Sequence, residues 1–534
     1  VGYAVSRRNF LKSALIAGLL PYKSAYAGTS KPSIESAAGV MVNDVHSGLN
    51  PTRVSAIAKV NSLEAIKDAI KSAKSSGKGL SICGARHAAG GQEFYTDGLL
   101  VDITDFNRVL GFDRETGLLT VQSGIRWSAL LDELDRMQKN ISRVSELASR
   151  SGSGGGSGGD SGSDSGSPSG SYSRQKVAHP WGINQKQTGL NSLTIGGTLG
   201  ANAHGQGLLL KPFVGDIESF TIINAEAQPL ICSRTQNQEL FSLAIGGYGL
   251  FGLVTDVTLR LVPRQKLKRK VHHIDASDIM ENFDKSVKQG SRYGHCQLNV
   301  NEKSPDFLTT GVFVAYEEVP LDTPITAIDT SEQNWKYIVE LVHTDKEAAF
   351  DLYAKSVTDS DNRVDWADSW QNNFYQGGYH EALDSKLHRE VAGSEVLSEF
   401  YVPLVELPNF LQRAKDYFLA NNQNVIFSSI RFIEKDDETF IPWARERYAC
   451  IVLNFHTSHS SASIQSTMKA WSHLIDFAIS LQGSFYLTYQ HVAHKQQLLS
   501  CYPNFEKFLQ MKLKHDPHEI FQSDWYQFHK KMFS

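Results

Sequence analysis

ICGARHAAGGQ, residues 82–92, runs an apolar strand end, Ile82-Cys83, straight into Gly84, and crowds three glycines, Arg86 and His87 into the turn that follows. Glycine lets a backbone approach a ligand closely. Successive amide N–H groups in such a turn form an anion-binding concavity. Two further turns share this texture. GGTLGANAHGQG, 196–207, strips one surface of side chains at Gly200, Ala201 and Ala203, while Asn202 and His204 add hydrogen-bonding groups. GGYGLFG, 246–252, contains a formal G-x-G-x-x-G. That match reads as a helix-to-strand turn, the reverse of a nicotinamide site, and no acidic residue follows about 20 positions on. One such turn is weak. Three, each beside a predicted strand, fit a long ligand with a diphosphate and two ring systems.

The surroundings mix strands and helices. RVSAIAKV (53–60) reads as a strand, and the following helix is expected to start at Asn61 and end at Gly77. GLSICG, GLLVDITDF, LLTVQSGI, DIESFTIINA, QPLICSR and GLVTDVTLRLVP read as strands; RWSALLDELDRMQ and NQELFSLAIGG read as helices. PRQKLKRKVHH, 263–273, reads as a solvated connector. Beyond it, TTGVFVAYE, VIFSSIRFI and ACIVLNFHTS are strand-like, and one long helix is expected over 335–357. The expected class is α+β.

The chain has 534 residues, enough for two large domains. Its net charge of -4 offers no basic excess for a nucleic-acid partner. The five cysteines show no CxxC or metal spacing, and no metal site is expected. Near the start, SRRNFLK, a short apolar run and AYA (25–27) make a twin-arginine export signal over 1–27, cleaved after Ala27. The run is too short for a comfortable membrane span, so no stable membrane insertion and a periplasmic or secreted location are expected. SGSGGGSGGDSGSDSGSPSGS, 151–171, is a Gly/Ser-rich insertion that buries nothing.

These turns resemble the FAD-linked oxidoreductases of the vanillyl-alcohol oxidase and para-cresol methylhydroxylase superfamily. ICGARHAAGGQ is similar to the cytokinin dehydrogenase version; LTIGGTLGANAHGQG is similar to that of aldonolactone and alditol oxidases. DPHEIFQSDWY, 516–526, resembles family C-termini. The resemblance implies a two-lobed PCMH-type FAD-binding domain over 45–265. It also implies a substrate domain over 266–480, with a mixed or antiparallel sheet flanked by helices, and a segment 481–534 returning to the first domain. It assigns FAD contacts to Gly84, Ala85, Arg86, His87, Ala88, Gly91 and Gln92, then to Gly196, Gly197, Gly200, Ala201, Asn202, His204 and Gly205. Gly247, Gly249, Gly252 and Val254 complete the set, with Gln187 or Thr188 near the flavin. It implies a covalent bond from His87 to the flavin 8α-methyl. No cysteine lies in 174–207 to make a second link.

Flavin oxidation of an alcohol or amine needs hydride delivery to N5 and often a base. On VIFSSIRFI, alternation puts Ser429, Arg431 and Ile433 on one face. Aldonolactone and alditol oxidases carry a glutamate and an arginine two apart on such a strand. Here Arg431 matches and Ser429 replaces the glutamate. His491 or His494 is a candidate base, and Tyr375, Tyr486 and Tyr489 are weaker candidates. The expected substrate is a small polar molecule: a sugar, polyol or lactone. The alternatives are amine oxidation in the cytokinin dehydrogenase manner and a non-catalytic flavin carrier. Oxygen, a quinone or an exported redox protein takes the electrons, and access at Ala201 or its neighbours decides which.

Overall fold

The computed structural model describes residues 33–35, 39–138, 179–326, 332–371 and 379–534. The export signal, the Gly/Ser insertion and Tyr375 lie outside the described residues.

Strands Ala56–Lys59, Leu99–Asp102 and Leu80–Cys83 form a parallel trio in that spatial order, with Ser33–Glu35 antiparallel on the outer side. Parallel strands need a crossover, and helix Leu63–Ser76 supplies it. Its buried Leu63, Ile66, Ala69, Ile70 and Ala73 fall at helical spacing. Gly77 ends it in the left-handed region, as expected; Ser62, not Asn61, caps its start by accepting from Ala65 N at 3.2 Å. The 53–60 stretch is two strands, Thr52–Val54 and Ala56–Lys59, which join different sheets.

An antiparallel sheet follows, in the order Pro229–Ser233, Ile217–Ile223, Leu253–Arg260, Leu118–Gln122 and Val109–Asp113. The molecule is therefore α+β, with the first glycine-rich turn leaving the parallel sheet after Cys83 and the third entering the antiparallel one at Leu253.

The second domain is built on an eight-stranded sheet, antiparallel throughout, in which Val425–Ile433, Tyr448–Ser458 and Gly393–Pro403 lie side by side. The expected connector at 263–273 is instead part of strand Lys266–Asp275, which pairs with Thr310–Val319 over its full length. Charge hid it. The cations are satisfied on the sheet: Lys266 donates to the Thr323 carbonyl at 2.8 Å and Arg269 stacks 5.0 Å from the Trp370 ring. The expected long helix is two, Glu332–Thr344 and Lys346–Thr358, because Asp345 caps the second by accepting from Ala348 N.

The C-terminal stretch reaches back to the first domain. Leu80 N donates to Ile520 O and Gln522 N to Leu80 O, both at 2.7 Å, which extends the parallel sheet beside the first turn. No helix among the described residues is long and apolar enough to cross a membrane.

Candidate active site

The first turn leaves strand Leu80–Cys83 at Gly84. A Cβ there would collide with Thr194 Oγ1, so only glycine lets this turn pack on the second one. The amides of Ala85, Arg86, His87 and Ala88 donate to no described backbone carbonyl, although Val45 N holds the turn through Arg86 O at 2.9 Å. A row of unclaimed amides suits a diphosphate.

The second turn is largely a helix, Ile195–Ala201, capped by Thr194. The third docks on it: Gly246 N donates to Leu199 O and Tyr248 N to Gly200 O, both at 3.0 Å. Together the three line one cleft that is partly open to solvent.

Of the expected cofactor residues, Gly84, Ala85, Arg86, His87, Ala88, Gln92, Gly196, Gly197, Gly200, Ala201, Gly249, Gly252 and Val254 line this cleft, as does Gln187. Gly91, Thr188, Asn202, His204, Gly205 and Gly247 do not. Asn202 is a knot between domains: it donates to Asp436 at 2.9 Å and accepts from Val214 N at 3.0 Å and from Trp443 Nε1 at 3.1 Å. Small polar residues among glycines look alike in sequence whichever way they point.

His87 sits at one end of the cleft. Its Nε2 is 2.6 Å from Ser192 Oγ, and its buried Nδ1 has no hydrogen-bond partner. Burial, then the neighbouring His46 and Arg126, lower its pKa to about 4. In the tautomer whose Nε2–H donates to Ser192 Oγ, Nδ1 carries a lone pair. His46 and Glu93 share this end. Asp44 delivers His46, accepting from its backbone N at 3.0 Å and from Asn50 Nδ2 at 2.8 Å. Both Glu93 oxygens are buried without a partner, and burial drives this carboxyl well above its ordinary range. An orphaned imidazole nitrogen and a bare amide row fit FAD.

Tyr486 and Tyr489 form another wall. Tyr486 OH donates to the Ala201 carbonyl at 2.7 Å. Tyr489 OH donates to Glu399, also at 2.7 Å. Glu399 is fully buried on strand Gly393–Pro403 and further accepts from His204 Nε2 at 2.7 Å and Tyr401 OH at 2.8 Å. Burial raises its pKa, but His204, Arg431 and Tyr489 outweigh that and hold it at about 2. Sequence reading missed this residue. Ser429 pairs with Val452, which pairs with Glu399, so the carboxylate lies in line with Ser429 two strands away. The signal was present in SEVLSEFYV, where two glutamates share one face of an apolar strand.

Arg431 is buried behind this wall rather than in it. Its Nε and Nη1 have no partner, and its charge helps to bring the buried Lys186 down to about 7, after burial itself. His491 does not reach the cleft: its ring packs on Phe528 at 4.6 Å. His494 caps helix Lys495–Cys501. All five cysteines are buried and unpaired.

The FAD binding domain family matches residues 54–175, and the D-arabinono-1,4-lactone oxidase family matches 362–529. An L-gulonolactone oxidase of Scyliorhinus torazame is 20% identical over 87% of this chain and 92% of its own length. An L-gulono-1,4-lactone dehydrogenase of Mycobacterium tuberculosis is 20% identical over 88% of this chain and 95% of its own. Cytokinin dehydrogenase 9 of rice (Oryza sativa subsp. japonica) is 33% identical, over only 20% of this chain.

Proposed function

On the premise that this chain is an FAD-dependent oxidoreductase of CH–OH donors, of the vanillyl-alcohol oxidase and para-cresol methylhydroxylase type, we propose that its substrate is a sugar-derived lactone. The match of the second domain to D-arabinono-1,4-lactone oxidase supports this most directly. The first-turn amides and Gly196, Gly197, Gly249 and Gly252 would hold FAD, which supplies the two-electron acceptor when bound. Tyr489, its hydroxyl held by Glu399, would meet the substrate hydroxyl from the cleft wall and orient it for hydride loss. Arg431 and His204 keep Glu399 ionised and so keep it an acceptor for the Tyr489 hydroxyl. His87 Nδ1 is the atom assigned to a covalent flavin bond, since it is an imidazole nitrogen of a cleft-lining residue with no hydrogen-bond partner.

Export also belongs to this reading. The paired Arg7-Arg8, the apolar run and AYA support twin-arginine transport to the periplasm or beyond. Acceptors of that compartment, whether oxygen, a quinone or a redox protein, would reoxidise the enzyme.

The test is spectroscopic. Purified protein should stay yellow in an acid-washed pellet, and lose that colour in His87→Ala. Under anaerobic conditions aldonolactones should bleach the flavin. Bleaching by amines alone, or by none of the sugars, polyols and lactones tried, would overturn the proposed substrate class.

A further inference from the structure

Four groups from four elements converge beside the cleft, away from the Glu399 wall. Glu395 of strand Gly393–Pro403 pairs in register with His456 of strand Tyr448–Ser458. Its Oε1 lies 3.3 Å from His343 Nε2, 3.6 Å from His456 Nδ1 and 3.5 Å from His380 Nδ1. His343 closes helix Glu332–Thr344, and His380 opens helix His380–Lys386. The donor atoms of His343, Glu395 and His456 all lie within 4.8 Å of one another. None of these four nitrogen and oxygen atoms, nor Glu395 Oε2, makes a well-formed hydrogen bond to a described residue.

A buried carboxyl group with neither oxygen in a well-formed hydrogen bond is costly, and the side chains of Glu395 and His343 are completely buried, with imidazole nitrogens facing Oε1 from three sides. Something must repay that cost. Tetrahedral nitrogen and oxygen ligands at about 2.1 Å from zinc stand about 3.4 Å apart, which matches the spacing around Oε1. The rings of His343 and His456 pack edge to face, 86° apart with centroids 4.8 Å apart. Gly393 makes room for this arrangement, because a Cβ there would stand 2.5 Å from His456 Cε1. Arg389 Nη2 is 3.4 Å from His343 Nδ1, but its charge is already met by Asp384 at 2.8 Å. The His380 side chain is 15% exposed and leaves an entry path.

We propose that His343, Glu395 and His456 bind one divalent transition-metal ion of the zinc class, with water in the fourth position. The ion clamps helix Glu332–Thr344 to the sheet next to the cleft, since Leu397, two residues along the same strand, lines it. No spacing motif announces such a site, because its ligands come from separate elements.

The full-length protein is titrated with Zn(II) against a chromophoric chelator, and with Co(II) followed by visible absorption. One equivalent of each is expected, with the intense bands of four-coordinate Co(II). His343→Ala and His456→Ala should each weaken Zn(II) binding by about 100-fold. Wild-type protein that takes up no Zn(II), or holds Co(II) with only the weak bands of the hydrated ion, overturns the proposal even where a variant fails to fold. Equal binding by wild type and a folded His343→Ala/His456→Ala double variant also overturns it. None of these readouts depends on flavin or on turnover.

Discussion

His87 and Glu399 illustrate what single side chains contribute. His87 has a folded pKa of about 4, below its ordinary 6.5, so the unfolded chain takes up its proton first as pH falls. Its contribution is whole above pH 6.5 and is lost on the way to 4, on the order of 3 kcal/mol. His87→Gln should therefore flatten that part of the stability curve in urea unfolding at pH 7 and 4.5; an unchanged slope would refute the assignment. Glu399, held at about 2, adds stability above its ordinary 4.5 and loses it towards 2. Tyr489→Phe should lower kcat by roughly 10²-fold, in the range for loss of a substrate-orienting contact, with flavin content unchanged. A normal kcat would remove Tyr489 from the chemistry. His87 was legible because its flanking glycines are local signals. Glu399 was only half legible: the strand pattern flags two glutamates, and a tyrosine 90 positions away in the chain picks out the one at the cleft wall.

Elements show the same division. The glycine turns announce themselves, since their backbone demands fall within a dozen residues. Gly84→Ala tests the tightest of them. Overpacking against Thr194 should cost about 1–3 kcal/mol and impair flavin incorporation, measured as lower visible absorbance of the purified variant. Full flavin content would mean the turns do not meet as described. Strand Lys266–Asp275 was illegible for the opposite reason. Its charges are answered by Thr323, Glu317 and Trp370 on other elements, and no local pattern distinguishes that from solvent. The long helix expected over 335–357 failed on one residue, since periodicity continues across Asp345 while its cap restarts the helix.

On the scale of the molecule, the two domains share a core and the cleft draws on both. Segment 516–534 buries Phe521, Trp525 and Tyr526. Removing it should yield protein that aggregates and carries no flavin; a soluble, yellow truncation would contradict that dependence. Acid should unfold the whole molecule steeply, because His295 and His529, like His87, are pushed by burial far down, both to about 3. Proton uptake on unfolding, measured by calorimetry in buffers of different ionisation heat, should exceed two protons near pH 5.

The pairing of Leu80 with Ile520 and Gln522 also carries a consequence in time. A ribosome finishes the edge of this sheet some 440 residues after it began it. Until then the strand that launches the first glycine turn waits with open hydrogen-bonding groups, an invitation to wrong partners. A contact so distant along the chain forms late and slowly. The cofactor therefore finds its finished cradle only once residues 520–522 have left the ribosome, and nascent chains should pass through a sticky, colourless stage that a chaperone shields.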